Sequence, residues 1–259
     1  MSNDAQFSVR YAETYDLLHQ AKTYGDEVDF VSRLATEAMG RKPGNVLDVA
    51  CGTGKHLVEF AQRGIAVHGN DLSEGMLACS KRRLHDKGIR DFHLTHGPMQ
   101  DVKPLHASVD LVTAFYTALG YLAEPAELER FFRNLQTLLK PGACFFADLW
   151  NMHKMATQFS PSRTKTAENE QLLVRRESSV THVANKNALK VDFKFDIEEK
   201  ARGAKESFTE SHLVRYHSVP EMDNLFRAYG FRLVKSGPYF DEAKRSEDSW
   251  NFFVLAQRV

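Results

Sequence analysis

A short segment with two glycines carries the residue types in this sequence that most directly predict chemistry. Residues 46–50 are predicted to form a buried strand, Gly52 and Gly54 follow it, and a helix-forming stretch begins at Lys55. Glycine takes the positive φ angles of a tight strand-to-helix turn and lets a ligand approach the backbone closely. In open α/β sheets ligands bind at the carboxyl ends of the strands, where this turn lies. The segment therefore predicts a ligand-binding turn.

A second candidate residue, Asp71, stands at the end of the next predicted strand, 17 residues after Gly54. A carboxylate in that place can accept hydrogen bonds from both ribose hydroxyls of a nucleoside. The turn and the carboxylate together predict an adenosine-containing ligand. The third glycine of the dinucleotide fingerprint is absent, because position 57 is Leu57. This disfavours NAD, although the residues alone leave both NAD and S-adenosylmethionine open.

Alternating strands and helices are predicted to position these residues. The strands are expected at residues 46–50, 65–70, 92–95, 109–115 and 143–150, with amphipathic helices between them and a final strand pair at 231–235 and 252–256. Strands that alternate with helices form βαβ units and a parallel sheet covered on both faces. The expected fold is α/β, a doubly wound and mainly parallel seven-stranded sheet of the Rossmann-like type.

The alternation of strands and helices stops after Trp150, and three extended runs are expected at residues 172–183, 189–198 and 207–217. In the middle run apolar and charged residues alternate, as in a strand with one wet face. We expect an antiparallel β insertion over residues 151–217, which forms a lid or substrate subdomain. Residues 1–150 and 218–259 are then expected to form the cofactor-binding α/β domain.

Composition narrows the classes of partner. Acidic and basic residues balance at 34 each, so the chain has no net charge that would favour nucleic acid. Its apolar runs are too short to span a membrane. The first ten residues are polar and contain no signal-peptide core. Three cysteines without a CxxC spacing indicate reduced thiols, so we expect a cytoplasmic protein.

Three segments resemble motifs of the class I S-adenosylmethionine-dependent methyltransferases. Residues 46–57 are similar to their first motif, residues 69–77 to their second, and residues 138–143 to the turn before their fifth strand. The similarity covers nearly the whole chain. It is strongest to bacterial small-molecule enzymes, notably N-methyltransferases that dimethylate amino sugars linked to a nucleotide. The resemblance implies S-adenosylmethionine as cofactor.

The resemblance also implies a set of cofactor-binding residues. Asp71 would hold the ribose hydroxyls, and Leu72 and Met76 would pack on the adenine. Pro98 replaces the aspartate with which the family usually meets the adenine amino group, so backbone groups of Met99 would serve instead. The complete implied set is Tyr24, Asp48, Ala50, Cys51, Gly52, Gly54, Asp71, Leu72, Met76, Pro98, Met99, Gln100 and Phe115.

Candidates for the acceptor side come from the N-terminal segment, the strand ends and the insertion. Tyr15, Tyr121 and His217 are the catalytic candidates, and the substrate-binding candidates are Tyr11, Tyr116, Trp150 and Arg215. Arg215 could pair with a phosphate of a nucleotide-linked substrate or simply face solvent. We expect no metal, because the 11 histidines are scattered and no pair has helical spacing with a carboxylate between.

Several functions remain open at this point. The first is methyl transfer to a small-molecule amine by in-line displacement, and the second is O-methylation of a sugar or other hydroxyl. A non-catalytic S-adenosylmethionine-binding protein is a third, which the intact glycine turn and Asp71 disfavour. An oxidoreductase is disfavoured by Leu57. The exposed edge of the insertion could also pair two subunits, so we expect a homodimer.

Overall fold

The computed structural model describes residues 7, 9–20, 22–103, 109–240 and 249–259. Its helices are α1 (Val9–Leu18), α2 (Tyr24–Met39), α3 (Lys55–Gln62), α4 (Glu74–Asp86), α5 (Pro125–Leu138), α6 (Met152–Thr157) and α7 (Val219–Ala228). Its strands are β1 (Asn45–Asp48), β2 (Ala66–Asp71), β3 (Phe92–His96), β4 (Val109–Ala114), β5 (Leu139–Trp150), β6 (Ser162–Glu168), β7 (Leu172–Val183), β8 (Ala188–Glu199), β9 (Ala204–Arg215), β10 (Phe231–Pro238) and β11 (Asn251–Arg258).

Seven strands form the larger sheet, in the order β10-β11-β5-β4-β1-β2-β3. The five strands from β5 to β3 run parallel, whereas β11 pairs antiparallel with β5 and β10. The strand order reverses between β1 and β4, and the carboxyl ends of neighbouring strands diverge there to open a crevice. The predicted mainly parallel, seven-stranded Rossmann-like sheet is confirmed.

Helices cover both faces of this sheet, as its apolar sequence requires. Phe145 and Phe146 are neighbours in β5, so their side chains point to opposite faces. Phe145 packs in one cluster with Phe132 of α5 and Phe226 of α7, while Phe146 packs in another with α2 and α3. All four of these phenylalanines are fully buried. Because β5 is buried on both faces, it holds the sheet and the adjoining crevice in place at the centre of the fold.

The second sheet contains four antiparallel strands in the order β6-β7-β8-β9, where the sequence predicted three. The added strand is β6, whose residues are polar and mostly exposed. A polar edge strand lacks the alternation of apolar and charged residues on which the prediction of β8 depended. In β8 itself, Leu189, Val191, Phe195 and Ile197 are buried as expected.

Helix α1, which was not predicted, joins the two sheets. Tyr11 and Leu18 of α1 pack with Val174 and Phe195 of the second sheet, and Met76 of α4 completes this cluster. The inner face of the second sheet is therefore the face that looks towards α1. This packing holds the insertion above the carboxyl ends of β1 and β4.

Candidate active site

The glycine turn after β1 has the backbone geometry that its sequence predicts. Gly52 and Gly54 have φ angles of 54° and 78°, and Gly54 is the residue that immediately precedes α3. A Cβ atom at Gly54 would lie 2.3 Å from Oγ of Ser80 in α4. Glycine is therefore needed at position 54 both for its backbone angle and for the close approach of the two helices.

Asp71 is bonded directly to this turn. Its Oδ2 accepts a hydrogen bond from the Gly52 N–H at 2.8 Å, and its Oδ1 accepts one from the Ser73 N–H at 2.9 Å. Burial raises the pKa of Asp71. These backbone hydrogen bonds hold both carboxylate oxygens at the rim of the crevice. Each oxygen can still accept a further hydrogen bond from a ligand hydroxyl. This arrangement fits the two hydroxyls of a ribose.

A cavity of about 560 Å³ opens beside Asp71 between the two sheets. Most of the predicted cofactor-binding residues lie along its wall, namely Ala50, Gly52, Asp71, Leu72, Met76, Pro98, Met99, Gln100 and Phe115. Apolar side chains can pack against an adenine ring, and a neighbouring carboxylate can accept hydrogen bonds from the ribose hydroxyls. The residues present therefore fit S-adenosylmethionine on the chemistry of this wall.

Four predicted cofactor residues, Tyr24, Asp48, Cys51 and Gly54, lie behind the wall rather than on it. Asp48 is fully buried at the end of β1, and this burial raises its pKa to about 8. Tyr24 packs edge-on against His56. The direct contact of these four residues with the cofactor stays a prediction.

Pro98 stands in a loop that is tied to the end of β2. The Gly97 N–H donates to the Asp71 carbonyl at 3.0 Å, and Nδ2 of Asn70 donates to the Gly97 carbonyl at 2.9 Å. Proline brings no carboxylate and no N–H of its own. The amide of Gln100, two residues further on, is the polar side chain that this loop contributes to the cavity wall.

Five of the predicted acceptor-side residues line the same cavity: Tyr11, Tyr15, Tyr116, Tyr121 and Trp150. Burial raises the pKa of Tyr15 and of Tyr121 well above the ordinary value. Both phenols therefore stay protonated near neutral pH. They can position a substrate through hydrogen bonds, but they are poor bases.

Arg215 and His217 are placed elsewhere, which corrects the expectation that they face the substrate. The guanidinium of Arg215 pairs with Glu221 in the first turn of α7, and Nδ1 of His217 lies 3.3 Å from the same carboxylate. Neither residue lines the cavity. Arg215 is the last residue of β9, and His217 stands between β9 and α7, so both side chains hold the first turn of that helix.

A strained turn after β4 presents Tyr116 to the cavity. Tyr116 and Thr117 both have positive φ angles, of 55° and 62°, which cost about 1–2 kcal/mol each for residues with a Cβ. The carboxylate of Asp148 accepts hydrogen bonds from both backbone N–H groups and from Asn251 Nδ2. Burial raises the pKa of Asp148 to about 7. Asp148 thus holds the turn in its strained form.

A buried network that the sequence did not reveal supports the Tyr116 side chain. Its hydroxyl donates to Oε2 of Glu27 at 2.6 Å, and Nε2 of His56 lies 2.8 Å from the same oxygen. The His56 ring stacks on Phe115 with 3.8 Å between centroids. Burial opposes ionisation of Glu27, but the bonds from His56 and Tyr116 lower its pKa. No local pattern links these residues, because they stand far apart in the chain.

A second chain of polar groups connects the cavity to the insertion. The Tyr121 hydroxyl lies 3.1 Å from Nδ1 of His212, and Nε2 of His212 lies 3.2 Å from Glu210. Glu210 also accepts the Phe7 N–H at 3.0 Å. His212 and Glu210 belong to β9 and are almost completely buried. The sequence predicted Tyr121, but it gave no sign of these two partners.

Basic residues missed by the sequence prediction also line the cavity, namely His19, Lys22 and Arg176. Arg176 comes from β7, and His19 and Lys22 stand between α1 and α2. The candidate site contains no metal centre within the described residues, since no group of three or more potential ligands is found among them. No helix of the described chain is long and apolar enough to cross a bilayer.

Comparison with known proteins agrees with this geometry. A methyltransferase domain matches residues 46–142. The dTDP-3-amino-3,4,6-trideoxy-α-D-glucopyranose N,N-dimethyltransferase of Streptomyces venezuelae is 27% identical over 238 residues, which cover 90% of this chain and 95% of that one. The dTDP-3-amino-3,6-dideoxy-α-D-glucopyranose N,N-dimethyltransferase of Streptomyces fradiae is 34% identical over 148 residues, 56% of this chain and 55% of that one.

A solved structure shows the same fold. CalS10 from Micromonospora echinaspora, an amino pentose methyltransferase solved with S-adenosylmethionine bound, superposes with a TM-score of 0.74 at 23% identity, covering 100% of both chains. The fold, the glycine turn and Asp71 define a class I methyltransferase. This chain is an S-adenosylmethionine-dependent methyltransferase that resembles bacterial small-molecule N,N-dimethyltransferases.

Proposed function

We propose that this enzyme methylates the amino group of a small polar acceptor, an amino sugar or a molecule of similar size. The observation that carries the proposal is the single cavity in which the Asp71 wall and the aromatic residues Tyr15, Tyr116 and Trp150 face the same space. The two relatives named above support an amine, because both act on sugar amines.

Bound S-adenosylmethionine supplies a methyl group that its positive sulfur already activates. The residues of this chain then have to align the acceptor and exclude water, which can contribute about 7–11 kcal/mol to catalysis. Phe7 covers the cavity with Tyr121 and Tyr11, at edge-to-face distances of 5.2 and 5.5 Å. Tyr116 is held from behind by Glu27. Rigid aromatic walls of this kind orient a small acceptor without a strong base.

One observation favours a second candidate function, O-methylation. The acidic proton of a hydroxyl must be removed by a base, since its pKa is far above neutrality. The Tyr121–His212–Glu210 chain offers a path by which a proton could leave the cavity. The amine remains the first choice, because an amine can lose its proton to solvent.

A matched acceptor panel tests the proposal. Pairs of sugars that differ only in an amino or a hydroxyl group are incubated with labelled S-adenosylmethionine, and the products are counted by mass spectrometry. We expect methylation of the amino member of each pair. Methylation confined to the hydroxyl members would reject the proposed N-methylation in favour of O-methylation. The Asp71→Asn variant is the negative control, since it should lose about 10–100-fold in cofactor affinity.

We further propose that the enzyme is cytoplasmic and forms a homodimer, and that residues 151–217 act as a lid over residues 1–150 and 218–259. Three free cysteines, two of them buried, support a reducing compartment. Strand β6 at the edge of the second sheet supports pairing with another copy. Packing of the second sheet on α1 supports the assignment as a lid.

A further inference from the structure

A hydrogen-bonded chain of three side chains leads from the cavity into the second sheet. Tyr121 lines the cavity, and its hydroxyl lies 3.1 Å from Nδ1 of His212. Nε2 of His212 in turn lies 3.2 Å from Oε2 of Glu210. His212 and Glu210 are 1% and 4% exposed and stand behind the cavity wall. Any effect of His212 on a bound acceptor therefore passes through the Tyr121 hydroxyl.

The hydrogen bonds define which nitrogen of His212 carries the proton. The backbone N–H of Phe7 can only donate, so Oε2 of Glu210 accepts from it at 3.0 Å. An ionised carboxylate accepts hydrogen bonds and donates none, so Nε2 of His212, the second neighbour of this oxygen, must carry the proton. Neutral His212 then has its lone pair on Nδ1, which accepts the Tyr121 O–H. The Tyr121 oxygen keeps its own lone pairs for a donor in the cavity.

Aromatic rings enclose this chain and hold its geometry. The Phe7 ring packs edge-on against Tyr121 and His212, with centroid distances of 5.2 and 4.9 Å. Phe193 contacts His212 edge-on at 5.1 Å, and the Tyr11 ring lies 5.9 Å from it. Polar groups in such surroundings are costly unless hydrogen bonds satisfy them, and a connected chain becomes rigid. The Tyr121 oxygen therefore has a fixed position at the cavity wall.

The groups around His212 favour a proton on its ring. In the described part of the chain, acids face it from four elements, namely Glu210 of its own strand, Asp192 of β8, Tyr11 of α1 and Tyr121 in the turn after β4. The guanidinium of Arg176 lies over the Phe193 ring, which also contacts His212. A carboxylate bonded to one imidazole nitrogen stabilises the imidazolium that forms when the other nitrogen takes up a proton.

The hydroxyl of Tyr116 has a different kind of partner. It donates directly to Glu27 at 2.6 Å. Burial opposes ionisation of Glu27, but the bonds from His56 and Tyr116 lower its pKa. That carboxylate does not keep a proton near neutral pH, whereas imidazole is the side chain most often used as a general base. Of these two cavity tyrosines, Tyr121 is the one whose partner can take a proton.

We propose that Tyr121, His212 and Glu210 form a relay that removes a proton from the bound acceptor amine. One N–H bond of the acceptor ammonium breaks, its electron pair stays on nitrogen, and the proton passes to the Tyr121 oxygen. The Tyr121 O–H bond breaks in the same step, and that proton passes to Nδ1 of His212. The positive charge moves from the acceptor to an imidazolium beside Glu210, and nothing is oxidised or reduced.

The relay requires no free phenolate. Burial raises the pKa of Tyr121 well above the ordinary value, and the phenol is neutral before and after the step. The inference rests on the proposed function and specifies how the amine gains its free electron pair. Walls that exclude water also hinder the loss of a proton to solvent, and His212 replaces solvent as the acceptor. The proton returns through Tyr121 to water after the product leaves.

Steady-state kinetics with the best acceptor of the matched panel test the relay. At pH 7, Tyr121→Phe and His212→Gln should each lower kcat by about 100-fold, with a smaller change in the KM of the acceptor. Glutamine can still hydrogen-bond to Tyr121 but cannot take up a proton. Residues that act as a unit give non-additive losses, so the double variant should be about as slow as either single variant.

The pH dependence separates proton transfer from structural support. An amine binds increasingly in its neutral form as the pH rises, so the loss in His212→Gln should shrink to about tenfold or less at pH 9. The matched control is His182→Gln, because Nε2 of His182 lies 2.7 Å from the Tyr216 hydroxyl and this pair does not line the cavity. The control should keep the wild-type kcat at both pH values. An equal loss in His212→Gln at pH 7 and pH 9 would overturn the relay.

The protonation of His212 provides a readout without turnover. Nitrogen NMR of ¹⁵N-histidine-labelled enzyme, saturated with S-adenosylhomocysteine, shows which ring nitrogen carries the proton. The His212 signal is the one that Tyr121→Phe shifts and His182→Gln leaves in place. We expect the proton on Nε2. A proton on Nδ1 of neutral His212 would overturn the relay, and this result does not depend on whether His212→Gln folds, which the affinity for S-adenosylhomocysteine reports.

The relay and the proposed N-methylation can fail separately. Amine methylation by His212→Gln at the wild-type kcat at pH 7 would remove the relay and keep the proposed function. Methylation of hydroxyl members alone would remove N-methylation. The same variants would then test the relay on a hydroxyl, whose proton would take the same path to His212.

Discussion

Asp48 and Asp71 are carboxyl groups at the ends of the neighbouring strands β1 and β2, and their surroundings differ. Asp71 accepts backbone hydrogen bonds from Gly52 and Ser73 and reaches the cavity. Asp48 is sealed behind the turn, and burial raises its pKa to about 8. The same residue type therefore supplies a ligand-facing acceptor at one position and a buried, proton-retaining group at the other.

Replacing Asp48 by asparagine should change the pH dependence of stability. The folded protein holds a proton on Asp48 up to about pH 8, whereas the unfolded chain releases it near the ordinary pKa. Folding therefore takes up a proton between these values, and stability falls as the pH rises through this window. Asp48→Asn cannot titrate, so the free energy of unfolding of the wild type should decline more steeply than that of the variant from pH 5 to 9.

Urea unfolding at a series of pH values measures both slopes. The matched control is Asp29→Asn, since Asp29 is mostly exposed and paired with Arg63. Parallel slopes for wild type and Asp48→Asn would show that Asp48 is already ionised in the folded protein.

Helix α3 depends on the glycine that precedes it. At Gly54 a Cβ would meet Ser80 of α4, whereas at Gly64, beyond the end of α3, nothing lies within 4 Å of the same position. Both glycines have positive φ angles, of 78° and 74°. The backbone strain of an alanine is therefore similar at the two sites, and the steric clash occurs at Gly54 alone.

Gly54→Ala should destabilise the protein by about 2–4 kcal/mol, the sum of backbone strain and overpacking. Gly64→Ala, which adds strain without a clash, should cost about 1 kcal/mol. Thermal unfolding and calorimetry with S-adenosylmethionine measure both variants, and only Gly54→Ala should also weaken cofactor binding. Equal losses would mean that α4 moves away from the turn at little cost.

Other elements show the limits of local patterns. The parallel strands were predictable because buried apolar runs stand between amphipathic helices. Strand β5 begins at Leu139, before the predicted start at residue 143, since Lys140, Pro141 and Gly142 read locally as a break. Strand β6 and helix α1 were missed because their apolar periodicity is weak; Ala167 of β6 packs in the cluster that contains Tyr11 and Leu18 of α1.

At the scale of the whole molecule, the second sheet leaves an edge for pairing. Strand β6 is hydrogen-bonded to β7 on one side, and the order of the sheet places it at the end. A second copy could extend the sheet there. Light scattering after gel filtration should then give twice the chain mass of 29.4 kDa.

Replacing Thr164, in the middle of β6, by proline would remove a backbone donor from this edge and should shift the protein towards monomers. Thr166→Val, which keeps the backbone donor, is the control. A monomeric wild type at the concentrations used for the assay would contradict the proposed dimer.

The sequence by itself predicted the fold class, the glycine turn, Asp71 and most of the residues that line the cavity beside Asp71. These features depend on local chemistry, namely positive φ angles at glycine and apolar strands that end beside it. Tertiary structure alone decided that His56 meets Glu27, that His212 meets Tyr121, and that Arg215 turns away towards α7. It also decided that Lys22 and Arg176 share one cavity. Such pairs are joined by packing across the two sheets, and no spacing along the chain encodes them.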